Sequence, residues 1–288
     1  MRKILFLLFT AAYLPLMIQA QEIIPLYKDS IPGALPVKTG EIPDLTIYLP
    51  KGVKQPTTGI LIIPGGGYGF VSSVKEGSEI ASYFVSKGIA AFVLKYRLPS
   101  DATMKDKKTG PIQDAQRALQ IIRMNAEKWG VNNNKIGVIG FSAGGHLAST
   151  LGTHFNRSFI SNDAKTNLRP DFMILVYPVI SMKQELTHAG SRMNLLGQSP
   201  SEEDVKYFSN EEQVTATTPP TYLTHTGDDK VVSVQNSITF YQSLLKNKVS
   251  AEMLLVPEGD HGFIFKIKQE EYMDPIFLWM RKGGWLDE

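Results

Sequence analysis

A serine flanked by glycines, with a β-branched run before it and a helix-forming run after it, constrains this chain more than any other stretch. Within KIGVIGFSAGGHLAST (135–150), Ile136, Val138 and Ile139 form a short apolar run of the kind found in a buried strand. Gly140-Phe141-Ser142-Ala143-Gly144 follows at once, and Gly145 to Ala148 open a helix. In this strand–turn–helix setting G-x-S-x-G has a mechanical meaning. A tight turn strains the serine backbone and holds its hydroxyl clear of the sheet, at a helix N-terminus whose amides favour developing negative charge. Gly140 and Gly144 are expected to be small because strand and helix pack closely there. The spacing marks Ser142 as a candidate nucleophile.

A second Gly-rich loop fits the same chemistry. Gly59–Ile63 is a continuous apolar run, as in a strand buried on both faces, and it leads into Pro64-Gly65-Gly66-Gly67-Tyr68-Gly69-Phe70. Three consecutive glycines let the backbone turn amides outward and approach a ligand closely. A phosphate-binding loop would need Gly-Lys-Ser/Thr after the glycines, and the dinucleotide fingerprint is also missing. An oxyanion-binding loop is the reading that remains.

A serine hydroxyl needs a base, and the base needs orienting. Loops that follow expected strands supply both, in the chain order Ser142, Asp228/Asp229, His261. Asp228 and Asp229 are adjacent with diverging side chains, so only one of them can face the imidazole. Asp260 adjoins His261 and is poorly placed to orient it. His146 and His154 lie along the helix after Ser142, His188 lies in a long polar segment, and His225 ends a strand. Those four are assigned structural or substrate-lining roles, and His261, in a Gly-flanked loop after the last strand, is the expected base.

Along the chain, strands are expected at Thr46–Leu49 (an edge), 59–63, Ile89–Leu94, 136–139, Phe172–Val179, Thr221–Thr224 and Ala251–Val256. Amphipathic helices are expected at Glu76–Lys87, Ile112–Trp129, Val234–Leu245 and Glu271–Arg281. Residues 180–213 read as a cap or loop insertion with a helix near Glu202–Phe208. The alternation implies one α/β domain over 46–288 with a mostly parallel sheet, preceded by an extended arm at 21–45. Arg2 and Lys3 before the apolar run Ile4–Ile18, with Ala20 after it, read as a signal peptide over 1–20 and export to the periplasm or medium. The chain has no cysteine, which excludes disulfides, a thiolate nucleophile and cysteine-based metal sites. Without the leader, 28 basic residues face 28 acidic ones, so nothing electrostatic points to nucleic acid or an anionic membrane as partner.

PGGGYG (64–69), KYRLP (95–99), QDAQRAL (113–119), GFSAGGHLAS (140–149), DDKVV (228–232) and DHGF (260–263) together resemble the α/β-hydrolase esterases. The resemblance runs from Gly59 to Trp285 and is strongest to the acetylxylan-esterase-like bacterial group, whose members are often labelled xylanases. It implies an α/β-hydrolase fold, and Asp229 as the acid that orients His261. It implies Gly66, Gly67 and Ala143 as oxyanion donors, no metal or other cofactor, and an acetylated oligosaccharide or other small ester as substrate. Pro64 departs from the histidine that opens this loop in many relatives, and Ser233 from a proline after the double valine. Tyr68 is a candidate stacking surface for a sugar ring. A glycosidase would need two carboxylates flanking the bond, and no such pair stands out. A prolyl-oligopeptidase-type peptidase shares the Ser-Asp-His order but usually carries a large propeller domain for which this chain has no room. A feruloyl or short-chain carboxylesterase is an alternative, and a non-catalytic sugar-binding relic would not need the intact set of reacting groups.

Overall fold

The computed structural model describes residues 22–36, 42–54 and 56–287. The leader expected at 1–20 lies outside the described residues. Among the described residues no helix is long and apolar enough to cross a membrane.

Eight strands form one sheet: β1 (Glu22–Pro25), β2 (Asp44–Tyr48), β3 (Thr57–Ile63), β4 (Ala90–Lys95), β5 (Val131–Phe141), β6 (Met173–Val176), β7 (Thr221–Thr226) and β8 (Ala251–Val256). Their order is β1-β2-β4-β3-β5-β6-β7-β8. Strands β3 to β8 run parallel, and β2 pairs antiparallel with both β1 and β4. This is the α/β-hydrolase architecture. The chain leaves β3 toward one side of the sheet and returns to pair β5 on the other. The carboxyl ends of β3 and β5 therefore border the point where strand order reverses, which is where open α/β sheets bind their ligands.

The apolar runs follow the pleat. Ile60 and Ile62 of β3 face one side, against α1 (Glu79–Ser86) and α7 (Gln269–Lys282) through Ile80, Phe84 and Ile276. Leu61 and Ile63 face the other, in a core that includes Ile112 and Leu119 of α2 (Gly110–Met124), Leu147 of α3 (Ala143–Thr153) and Phe240 of α6 (Gln235–Lys246). Each fully buried Ile, Leu or Phe side chain contributes on the order of 1.5–3 kcal/mol of transfer free energy. These continuous apolar strands explain why the sheet must be covered on both faces.

Three local expectations are corrected. Glu22–Pro25, expected within an extended arm, forms β1 on β2, so the strand near 46–49 is internal and β1 is the edge. Only four residues long and largely exposed, β1 carries too little alternation to be read, and Pro25 ends it. The helix expected over 112–129 ends at Met124, because Asn125 turns its side-chain amide back onto the Ile121 carbonyl at 2.8 Å. The helix expected from Glu76 begins as a π-helical turn over Val74–Ser78.

Two of the quoted motifs hold the frame. Arg97 of KYRLP and Asp114 of QDAQRAL form a buried ion pair at 2.8 Å, and the Arg97 main-chain amide also donates to Asp114. The same guanidinium reaches the Pro32 carbonyl at 2.8 Å, which fastens the N-terminal arm to the domain. Tyr96 donates its phenol to the Pro64 carbonyl at 3.0 Å, at the root of the Gly-rich loop.

Candidate active site

The turn between β5 and α3 puts Ser142 at φ 52°, ψ −120°, where an L-residue is strained by about 1–3 kcal/mol. Hydrogen bonds hold it there. Ser142 N–H donates to Val176 O at 3.1 Å, and its carbonyl accepts from His146 N–H and Val179 N–H. The flanking glycines behave as expected: a Cβ on Gly140 would lie 2.3 Å from the Gly144 carbonyl oxygen, and one on Gly144 would lie 2.2 Å from that of Ile63.

Loops at the carboxyl ends of β5, β7 and β8 bring the three expected groups together. Ser142 Oγ lies 3.0 Å from His261 Nε2, and His261 Nδ1 lies 2.7 Å from Asp229 Oδ2. Asp229 Oδ1 accepts from the amides of Val231 at 2.9 Å and Val232 at 2.8 Å. Burial alone would raise the Asp229 carboxyl. Hydrogen bonds from the His225 and His261 imidazoles, and from the Val232 amide, outweigh it and hold the group well below the usual carboxylate range. Asp228, its exposed neighbour, accepts instead from Gly259 N–H at 3.1 Å and Asp260 N–H at 2.8 Å. Asp260 accepts from the main-chain amides of Lys230 and His261. Of the three aspartates, Asp229 is the one whose carboxylate meets the imidazole.

The glycines of the 64–70 loop divide their amides. Gly65 N–H points inward and donates to Glu76 Oε2 at 2.7 Å. Gly66 and Gly67 adopt φ of 124° and 62°, which side-chain-bearing residues rarely tolerate, and their amides meet no acceptor among the described residues. A Cβ on Gly65 would come 3.0 Å from the Ser142 Cβ, so this loop lies directly against Ser142. Ala143 N–H opens α3 beside it, as the first helical amide.

The other histidines separate by environment. His146 is buried, accepts from the Tyr68 phenol at Nδ1 and donates from Nε2 to the Phe208 carbonyl, each at 2.8 Å. Burial lowers its pKa to about 4. His154 caps the end of α3, and burial pushes it down as well. His188 is half-buried at the start of α4 (Ala189–Leu196), and its Nδ1 accepts the Ser191 amide at 3.2 Å. Burial, and then the charge of His261, lower its pKa. His225 proves to be part of the acid's setting. Its Nε2 lies 3.1 Å from Asp229 Oδ2 and 2.9 Å from the Val232 carbonyl, and its Nδ1 lies 2.8 Å from Ser237 Oγ. Two acceptors at Nε2 require the proton there.

Tyr68 is a correction. Its φ of 60°, just after the glycines, sends the ring inward to His146, and only 2% of the residue is exposed. It offers no stacking surface; Phe70, two residues on, is exposed. The 180–213 insertion holds α4, α5 (Glu202–Phe208) and a 3₁₀ turn at Asn210–Glu212. Its α4 docks on the glycine loop, with Asn194 donating to the Gly67 carbonyl at 2.8 Å and His188 beside Gly67. Sequence reasoning missed Glu76, Tyr177 and Asn194. None carries a local signal, because each acts on a partner distant in the chain.

The profile of the BD-FAE family matches residues 45–244. Over 227 residues the chain is 40% identical to an endo-1,4-beta-xylanase B of Butyrivibrio fibrisolvens, covering 77% of this chain and 35% of that protein. It is 35% identical over 210 residues to an acetylxylan esterase of Xylanibacter ruminicola, covering 72% and 41% respectively. The chain thus spans well under half the length of these two relatives. A crystal structure of an acetyl ester-xyloside bifunctional hydrolase from Caldicellulosiruptor lactoaceticus superposes with a TM-score of 0.83 at 36% identity, covering 92% of this chain and 97% of that one.

Proposed function

From the premise that this chain belongs to the BD-FAE family, within the α/β-hydrolase fold, we propose that it is an exported serine carboxylesterase that removes acetyl groups from xylose-based oligosaccharides. The observation that carries the reaction class is the continuous Ser142–His261–Asp229 chain, at 3.0 and 2.7 Å, beside free amides on Gly66 and Gly67. In this reading Ser142 Oγ attacks the acetyl carbonyl carbon as its proton passes to His261 Nε2. Asp229 holds the Nδ1–H tautomer and balances the imidazolium that forms. The carbonyl oxygen, now negative, takes hydrogen bonds from Gly66, Gly67 and Ala143. His261 then returns the proton to the departing sugar oxygen. Water repeats the sequence on the acyl-enzyme, which releases acetate and restores Ser142.

The names of the similar proteins, an acetylxylan esterase and an acetyl ester-xyloside hydrolase, support the sugar and the acyl group. The basic–apolar–small pattern of residues 1–20 supports export. Mass spectrometry of acetylated xylo-oligosaccharides before and after incubation tests the substrate. Loss of 42 Da steps (about one acetyl each) with unchanged chain length is expected, and none with Ser142→Ala. An intact acetyl pattern refutes the substrate, and shortened chains refute the reaction class.

A further inference from the structure

Beneath the glycine loop lies a carboxylate that the reaction does not consume. Glu76 sits in the π-helical turn before α1 and is 5% exposed. Its Oε2 accepts Gly65 N–H at 2.7 Å, and its Oε1 accepts the Tyr177 phenol at 2.8 Å. Among the described residues no lysine or arginine pairs with it. A buried carboxylate that leans on neutral donors alone is costly to keep, and a well-packed apolar side chain would stabilise the fold more. Such groups concentrate at working sites, and π-helical turns do the same.

Its two oxygens reach the two halves of the site. Oε2 takes the one glycine amide that faces inward, and this leaves the next two amides facing out. A Cβ on Gly65 would strike that oxygen at 2.9 Å, so glycine is required for the carboxylate to sit there. Oε1 holds Tyr177, whose ring centroid lies 4.8 Å from that of His261 at an interplanar angle of 60°. Tyr177 itself has φ 36°, a strained backbone that only its surroundings can maintain. The Tyr177 amide is held by the Thr224 carbonyl at 2.8 Å, so the ring enters the site from a fixed base.

We propose that Glu76 is a positioning residue that sets the oxyanion loop and the catalytic imidazole together, through Gly65 on one side and Tyr177 on the other. The inference rests on the esterase reading above. It assigns Glu76 no contact with substrate. Because both arms act on geometry that matters only as charge develops on the carbonyl oxygen and on His261, its removal acts on kcat rather than KM.

Three variants test it on p-nitrophenyl acetate: Glu76→Gln, Tyr177→Phe and the double variant, each checked for wild-type circular dichroism. Glu76→Gln keeps the volume and one acceptor for Gly65 N–H, but its N–H forces the Tyr177 hydroxyl to accept where it donated, which turns the phenol proton elsewhere. It is expected to lower kcat about 10- to 100-fold with KM changed less than about threefold. It should weaken a trifluoromethyl ketone inhibitor by the same factor. Tyr177→Phe removes one oxygen and is expected to lower kcat about 3- to 10-fold, with the double variant no slower than Glu76→Gln. A merely structural role would lower thermal stability and leave kcat per folded molecule and inhibitor affinity unchanged. Folded variants with kcat within twofold of wild type overturn the assignment, as do single effects that multiply. If Glu76→Gln does not fold, Tyr177→Phe within twofold overturns it alone. Wild-type protein inert toward the ester removes the esterase reading and this role with it, whereas an active wild type with unaffected variants removes only the role of Glu76.

Discussion

Replacing Asp229 by asparagine should cripple the enzyme, and the same change one residue earlier should not. Asp229 Oδ1 is occupied by the amides of Val231 and Val232, which would keep the carbonyl oxygen of an asparagine on that side. The carboxamide nitrogen would then face two imidazole nitrogens, His261 Nδ1 and His225 Nε2. His261 can meet an N–H there only by accepting, which moves its own proton to Nε2. That nitrogen, 3.0 Å from Ser142 Oγ, could no longer take the serine proton. A wrong tautomer of this kind costs about 10⁴-fold in kcat, or roughly 5.5 kcal/mol of transition-state stabilisation. Asp228 touches neither imidazole, and an asparagine there keeps one acceptor for the Gly259 and Asp260 amides. Its cost should stay within about threefold. Initial rates on p-nitrophenyl acetate, with active sites counted by a fluorophosphonate, give both numbers. If Asp228→Asn proves the more damaging change, the tautomer argument fails and the acid is misassigned.

Ser142→Ala should lower kcat by at least about 10³-fold with the unfolding midpoint little changed, since only one oxygen is lost; activity within tenfold of wild type would remove Ser142 as nucleophile. His146 predicts acid sensitivity. Its folded pKa of about 4 lies below the ordinary value of 6.5, so the unfolded chain binds the proton first and stability falls as pH drops from 6.5 toward 4. The loss attributable to this group is about 2 kcal/mol at pH 5, and urea titrations at pH 7 and 5 should show it shrink in His146→Gln. Asp114→Ala should destabilise by about 3–5 kcal/mol, because it strands the Arg97 guanidinium, which is also held by the Pro32 carbonyl. Thermal unfolding unchanged within about 1 °C would contradict that.

The parts legible in the sequence were those whose cause is local. The elbow needs glycines at fixed offsets from Ser142, and the buried strands need unbroken apolar runs, so both stand out in a few residues. His261 and the Asp228–Asp229 pair stood out because each follows a strand, but the choice of Asp229 came only from the family resemblance. The structure supplies its reason in the Val231 and Val232 amides. What was not legible depends on contacts distant in sequence. Glu76 and Tyr177 are 101 residues apart, and nothing near either announces the other. In sequence His225 reads as an ordinary strand-end histidine; its role depends on Ser237 and Asp229, which only the fold brings to its ring. The inward turn of Tyr68 is not legible because side-chain direction depends on φ, and its φ of 60° after three glycines is not written in the sequence.

The left-handed backbone at Ser142 also sets selection for stability against selection for activity. Alanine at 142 inherits the strain of serine, whereas glycine releases about 1–3 kcal/mol of it for about 0.5–1 kcal/mol of extra chain entropy. Ser142→Gly should therefore melt above both wild type and Ser142→Ala while hydrolysing nothing. A library of this protein sorted on expression yield or heat resistance alone would enrich inactive variants at position 142 itself. Any campaign to toughen the enzyme must therefore read turnover in every round.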